Sequence, residues 1–277
     1  MDEKKILTVT VDGTAHTYSR GTPYRAIAAD FQNRSLYDIL LVNRDGKLCE
    51  LHKALDRDCS LKMITAQDKP GFQTYERSAL LLMLKAFYDV VGREQVEHIC
   101  VEYSLSSALF ILARGSFTLD QALLDRVEAR MRELSAAAIP IEKQSLSTED
   151  AVELFQRCGM PHKAQLLSFR INSHVNVYSL DGFVDYFYGY MVPDTSYIRC
   201  FGLELFENGF VLRLPTQKDP SHLGEFHPSK KVFDALYEST LRSQALNASN
   251  VAELNTTISQ GGSTPLILAH EAMMEKK

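Results

Sequence analysis

The side chains best suited to chemistry in this 277-residue sequence fall in a few short clusters. Cys158 and His162 have the four-residue spacing that places two metal ligands on one face of a helix. A glycine and a proline between them interrupt a helix there, and no second pair completes a site, so a structural role is favoured. His222 and His227 lie in a proline-rich stretch that sets no ligand geometry, which favours a surface loop.

Two acidic and two hydroxyl residues could act on water. Glu102 and Asp185 are candidates for a carboxylate pair, and a water could be held by Ser104, Ser107 and Asp185 for hydrolysis without metal. The alternative for Asp185 is structural, because short acidic side chains often accept hydrogen bonds from nearby turns. That alternative is favoured, and no residue is predicted to be catalytic.

An aromatic run covers residues 183–190 and includes Tyr186, Phe187, Tyr188 and Tyr190. Such rings could provide a surface on which a base or nucleoside stacks, together with Tyr103. The alternative is a strand whose alternate residues pack into the core, with Phe187 facing in and its neighbours facing out. Core packing is favoured, because aromatic side chains bury large areas.

Composition excludes several classes of protein. The hydrophobic fraction is 45%, the charged fraction 23% and the formal net charge −5, which fits a folded protein and argues against strong non-specific binding to nucleic acid. Five scattered cysteines indicate reduced thiols. With no secretory signal and no apolar stretch long enough to span a bilayer, we expect a cytoplasmic protein without membrane contact.

The elements that must position these residues include successive strands joined by hairpins as well as helices, which predicts an α+β protein. Residues 1–68 follow a β-β-α-β-β-β order, with a hairpin signal at Asp12-Gly13. Pro70-Gly71 predicts a break before a helix over 75–91, and residues 104–113 are predicted as a short helix. After residue 215 the sequence becomes proline-rich and then helical.

The order of these signals resembles a known arrangement of domains. Residues 1–68 resemble a TGS domain, the ubiquitin-like β-grasp module of threonyl-tRNA synthetases, through Asp12-Gly13, Gly21-Thr22 and the run over 41–47. Residues 69–215 resemble the editing domain of threonyl- and alanyl-type synthetases through the run over 183–195. Residues 216–277 resemble the helical linker of uridine-kinase-like proteins, in which a P-loop kinase follows.

The resemblance also implies a metal site, and this sequence departs from it. The active editing fold holds its metal with a His-x-x-x-His pair on a helix and a Cys-x-x-x-His pair elsewhere. Aligned on this sequence, the pairs fall at Tyr103 with Ser107 and at Phe187 with Met191. A phenol, a hydroxyl, a phenyl ring and a thioether do not bind a zinc-type ion, so we expect a degenerate site.

These departures lead to three functional expectations. The first is a non-catalytic regulatory or ligand-recognition region of a nucleoside (uridine) kinase-like protein. No phosphate-binding loop occurs in the sequence, so no cofactor is expected in this chain, and ATP and Mg²⁺ would bind a kinase domain beyond it. That kinase domain and a nucleoside are the expected partners. The alternatives are a tRNA- or RNA-binding module and, less favoured, a metal-independent editing hydrolase.

The predicted ligand pocket consists of residues from the two aligned regions. They are Tyr103, Ser104, Ser107, Asp185, Tyr186, Tyr188 and Tyr190.

Overall fold

The structure is a computed structural model that describes residues 6–275, and it has the expected mixed α+β architecture. The first sheet has five strands in the order β2-β1-β5-β3-β4. Its central pair, β1 and β5, is parallel, and the other pairs are antiparallel. The elements of this part are β1 (Ile6–Val11), β2 (Thr14–Ser19), α1 (Tyr24–Phe31), β3 (Ile39–Arg44), β4 (Lys47–Glu50) and β5 (Cys59–Thr65).

Local sequence accounts for this sheet. Asp12 and Gly13 both have positive φ, which is the two-residue turn that suits the twist of a hairpin. The buried residues of α1 are Tyr24, Ile27, Ala28 and Phe31, whose helical spacing forms one apolar face. That face belongs to a core with Leu7, Val9 and Val11 of β1.

A second sheet has four strands in the order β11-β12-β7-β6. Here the sequence prediction of a helix over 104–113 is wrong. The apolar run forms the second strand of an antiparallel hairpin, with Ser106 at φ +55° in the turn. The strands are β6 (Val96–Leu105), β7 (Ala108–Gly115), β11 (Gly202–Phe206) and β12 (Gly209–Arg213).

Two long helices accompany the second sheet. α2 (Lys69–Val91) begins before the predicted break at Pro70-Gly71, because proline is tolerated in the first turn of a helix. Gly71 is needed there, since a Cβ on it would lie 2.0 Å from the Thr65 carbonyl oxygen. α3 (Gln121–Ala136) begins where the Asp120 side chain accepts a hydrogen bond from Leu123 N–H.

The remaining elements complete the chain. β8 (Glu142–Ser147) and β9 (His174–Leu180) form a three-stranded sheet with β10 (Phe183–Tyr186). Five α-helices follow residue 147 in the described part of the chain. They are α4 (Thr148–Arg157), α5 (Pro161–Ser168), α6 (Lys230–Ala245), α7 (Val251–Ser259) and α8 (Ser263–Glu275).

The described residues divide into two compact units. The first comprises the described part of Met1–Lys143 together with Tyr178–His227, and it contains the candidate site. The second comprises Gln144–Val177 and the described part of Pro228–Lys277. The sequence-based boundaries at 68 and 215 stay predictions. Within residues 6–275, no helix is long and apolar enough to cross a membrane.

Candidate functional site

A buried carboxylate at the end of β4 forms the centre of a polar cluster in the first unit. Glu50 is 1% exposed. Its Oε2 accepts a hydrogen bond from the Lys143 ammonium at 2.8 Å, and its Oε1 accepts one from the Tyr178 hydroxyl at 2.8 Å. The same Oε1 lies 3.2 Å from the Met191 backbone nitrogen, which donates to it. A buried charge needs partners of this kind, because burial removes its hydration.

The cluster fixes the backbone of the aromatic segment. The Tyr178 hydroxyl also lies 2.6 Å from the Gly189 carbonyl oxygen, so its single proton is shared between two acceptors. Arg77 Nε donates to the Tyr190 carbonyl at 3.2 Å. Gly189 has φ +135°, and a Cβ on it would lie 2.6 Å from Arg77 Cζ. This close approach requires glycine.

Helix α2 also contacts the backbone that follows the aromatic segment. Ser78 Oγ donates to the Thr74 carbonyl at 2.7 Å and accepts the Val192 backbone N–H at 3.0 Å. Ser78 Oγ is also 3.4 Å from Met191 Sδ. Both α2 hydroxyl residues are fully buried and lie one helical turn apart.

Burial sets the protonation of the neighbouring groups. Burial, with Glu50 nearby, raises the pKa of Tyr178, which keeps its hydroxyl a neutral donor. Burial lowers the pKa of Arg77, although adjacent tyrosines and carboxylates oppose that change. The pKa of His52 is lowered, first by burial and then by Lys143 and Lys53.

The Lys143 ammonium also lies over two tyrosine rings. Its Nζ is 5.3 Å from the centroid of Tyr178 and 5.7 Å from that of Tyr190. A cation over an aromatic face is attracted by the ring quadrupole. Lys143 is therefore held by a carboxylate and two rings at once.

The first pair of aligned positions does not lie on a helix. Tyr103 lies in β6, where its ring stacks on Phe110 with centroids 5.2 Å apart. Ser104 is exposed in the same strand. Ser107 lies in the following turn, where its carbonyl accepts the Leu214 N–H. A spacing of four brings two side chains to one face of a helix, not of a hairpin, so this placement of the pair is corrected.

The second pair lies in the apolar core of the first unit. Met191 is 2% exposed, and Phe187 is partly buried against the same cluster. The expected alternation along the aromatic run stops early, because β10 ends at Tyr186. Asp185 is buried and accepts the Tyr186 backbone N–H, whereas Tyr188 is 83% exposed.

Sequence reasoning missed the residues of α2 and β4 that contact this segment. The helix that reaches Met191 is α2, through Ser78. The available signal was the pair of small hydroxyl residues, Thr74 and Ser78, four apart just before the apolar run over 79–84 of this helix. Glu50 had no such signal, because the residues that donate hydrogen bonds to its carboxylate lie at least 93 residues away in sequence.

The donors present do not fit a zinc-type ion. Phe187 offers no donor atom, Met191 a thioether and Ser78 a neutral hydroxyl, whereas zinc prefers thiolate, imidazole and carboxylate. Within the part of the chain that the structure describes, no group of three or more His, Cys, Asp or Glu residues could hold a metal ion. His222 and His227 instead pair with the nearby acids Asp219 and Glu225.

Comparison with known proteins finds threonine–tRNA ligases that are similar to most of this chain. No family model matches the chain. The threonine–tRNA ligase of Thermotoga neapolitana is 25% identical over 202 residues, 72% of this chain and 30% of that enzyme. The ligase of Pelobacter propionicus is 29% identical over 196 residues, 69% of this chain and 30% of that enzyme. The ligase of Halorhodospira halophila is 25% identical over 193 residues.

These similarities support a threonyl-tRNA-synthetase-like domain in this chain. The chain spans about 30% of the length of the curated relatives it matches. These relatives give no support to the resemblance to uridine-kinase-like proteins, nor to the nucleoside kinase function that it implied.

Proposed function

We propose that this chain is a catalytically silent module that recognises tRNA, built from a TGS-like β-grasp domain and an editing-like domain. The observation that carries the proposal is how the segment over 183–195 is held and packed. Its backbone is held by Glu50, Arg77 and Ser78, while Phe187 and Met191 pack into the core.

The first sheet supports the β-grasp assignment. Its strand order, β2-β1-β5-β3-β4, has parallel central strands and two flanking antiparallel hairpins. The helix α1 lies between the second and third strands in sequence and buries one apolar face. This is the order of elements expected for a ubiquitin-like domain.

The packing of the second aligned pair supports the absence of hydrolysis. Met191 shares the core with residues of α2 and the second sheet, so its thioether packs among apolar side chains. Phe187 and Met191 offer neither a zinc-type ligand nor a base, so we assign these two positions no part in activating water.

Tyr188 supports recognition. Its ring is the most exposed of the aromatic run. The backbone beside it is fixed, because the carbonyl of the next residue, Gly189, accepts a hydrogen bond from the Tyr178 hydroxyl. A ring exposed on a fixed backbone can stack on an unpaired base at little entropic cost. The relatives are named as ligases of tRNA, which identifies the nucleic acid to test.

Filter binding with a threonine-accepting tRNA tests the proposal, using the whole chain at low and moderate salt. We expect saturable binding that weakens with salt, since phosphate contacts release counterions. Tyr188→Ala should weaken binding roughly tenfold or more, the usual loss for one stacked base. Phe169→Ala, which removes an exposed ring from the second unit, should leave binding unchanged.

A deacylation assay tests separately whether the chain lacks hydrolytic activity. Incubated with a seryl ester of the same tRNA, the chain should release serine no faster than buffer does. Release above that rate would refute the absence of catalysis, and lack of tRNA binding at low salt would refute recognition.

A further inference from the structure

A cavity in the first unit is lined by residues other than those of the Glu50 cluster. It has a volume of about 230 Å³, and its walls come from the segment before β3, the start of α2 and residues near 197–200 and 220–221. This is several times the volume of one water, yet smaller than pockets that hold drug-sized molecules. Its size fits a single small metabolite.

The walls combine apolar surface with two tyrosine rings. Leu40 and Ala66 are buried and line the cavity, together with Tyr75 and Tyr197. The Tyr75 hydroxyl donates to the Cys200 carbonyl at 2.8 Å and accepts the Cys200 N–H at 2.9 Å. Because both hydrogen bonds are made to backbone, this ring presents an apolar and immobile wall.

One acidic and one basic side chain among the lining residues form an ion pair. Arg199 Nη2 lies 2.9 Å from Asp38 Oδ2, and the Arg199 side chain is 67% exposed. The Arg199 Nε donates to the Ser196 carbonyl at 2.8 Å, which orients the guanidinium. An exposed ion pair of this kind contributes little to stability, so it opens readily for a ligand that replaces both partners.

Charge decides which class of ligand replaces them. An anion would be attracted by Arg199 but repelled by Asp38, and a cation would meet the reverse. A free amino acid carries a carboxylate and an ammonium on one carbon, so it can satisfy both groups at once. The guanidinium binds a carboxylate through two parallel hydrogen bonds, and the aspartate accepts from the ammonium.

We propose that this cavity binds a free amino acid with an apolar side chain. The α-carboxylate lies on Arg199, the α-ammonium lies on Asp38, and the side chain packs against Leu40, Ala66 and the ring of Tyr75. The site is independent of the tRNA-recognition segment, so either proposal can fail alone.

Calorimetric titration of the whole chain with L-leucine and L-phenylalanine tests this site. We expect saturable binding of one equivalent by at least one of them. N-acetyl-L-leucine and L-leucinamide each lack one charge, and each should bind at least tenfold more weakly than L-leucine. Ligand binding should also raise the unfolding temperature, because it stabilises only the folded chain.

Asp38→Asn and Arg199→Gln should each weaken binding by at least tenfold. Arg57→Gln is the matched control, since Arg57 is similarly exposed and pairs with Asp45 elsewhere. The control should bind normally, and urea unfolding should show that all three variants are folded. The proposal is overturned if neither amino acid binds at millimolar concentration, if the neutralised analogues bind equally well, or if the two pocket variants bind like the control.

Discussion

Removal of the Lys143 ammonium gives the most direct test of the Glu50 cluster. Lys143→Met keeps the length of the side chain but leaves the Glu50 carboxylate with neutral donors only. Breaking a buried ion pair on one side costs about 3–5 kcal/mol. Two neutral donors, the Tyr178 hydroxyl and the Met191 N–H, still bind Glu50 in the variant, so we expect a decrease of about 2–3 kcal/mol in the free energy of unfolding. Urea unfolding at neutral pH should then show a midpoint lowered by roughly 1 M.

A double-mutant cycle separates charge from packing. Glu50→Gln keeps the shape and an acceptor oxygen for the Tyr178 hydroxyl, and it removes the negative charge. The double variant leaves no unpaired charge, so it should be more stable than Lys143→Met alone by about 1 kcal/mol or more. If the two losses simply add, Glu50 and Lys143 do not depend on each other, and the reasoning about the buried pair is refuted.

Three further perturbations test the surrounding contacts. His52→Gln should reduce the stability that the protein loses between about pH 7 and pH 5.5, because the pKa of His52 is lowered in the fold and the unfolded chain takes up the proton first. Urea unfolding of the variant and the parent at both pH values measures this loss. An equal loss in the two proteins would contradict the prediction. Gly189→Ala should destabilise by about 2 kcal/mol, from positive φ and displacement of the Arg77 guanidinium, whereas Gly182→Ala, with open space around it, should lose about 1 kcal/mol from backbone strain alone. Equal midpoints for the two glycine variants would exclude the steric contact. Ser78→Ala should cost about 1–3 kcal/mol, measured by urea unfolding, because the buried backbone N–H that its hydroxyl accepts loses its partner; an unchanged midpoint would refute that role.

The sequence predicts local features well where one or two residues decide them. Asp12-Gly13 defines a hairpin, because its positive φ values are rarely tolerated by other pairs. The hairpin of β6 and β7 was missed for the opposite reason. Its second strand is a continuous apolar run buried on both faces, which has no period that separates strand from helix.

The candidate site was only partly predictable. The run over 183–195 was identified from its residue types, and its burial at Met191 follows from the choice of apolar side chains. Glu50 could not be found, since a single acid in a strand carries no pattern. Its role in the site depends on partners that the fold brings to it from distant parts of the sequence, and local sequence patterns do not reveal such contacts.

The long separation between Glu50 and its partners has a consequence for synthesis on the ribosome. Tyr178 follows Glu50 by 128 residues and Met191 by 141. At the usual speed of translation, about 5–20 residues per second, the carboxylate waits on the order of ten seconds for those donors. During that interval the nascent β-sheet carries a hydrated negative charge at its edge. Charged side chains at a sheet edge oppose edge-to-edge pairing, so we expect this charge to disfavour premature association between neighbouring nascent chains.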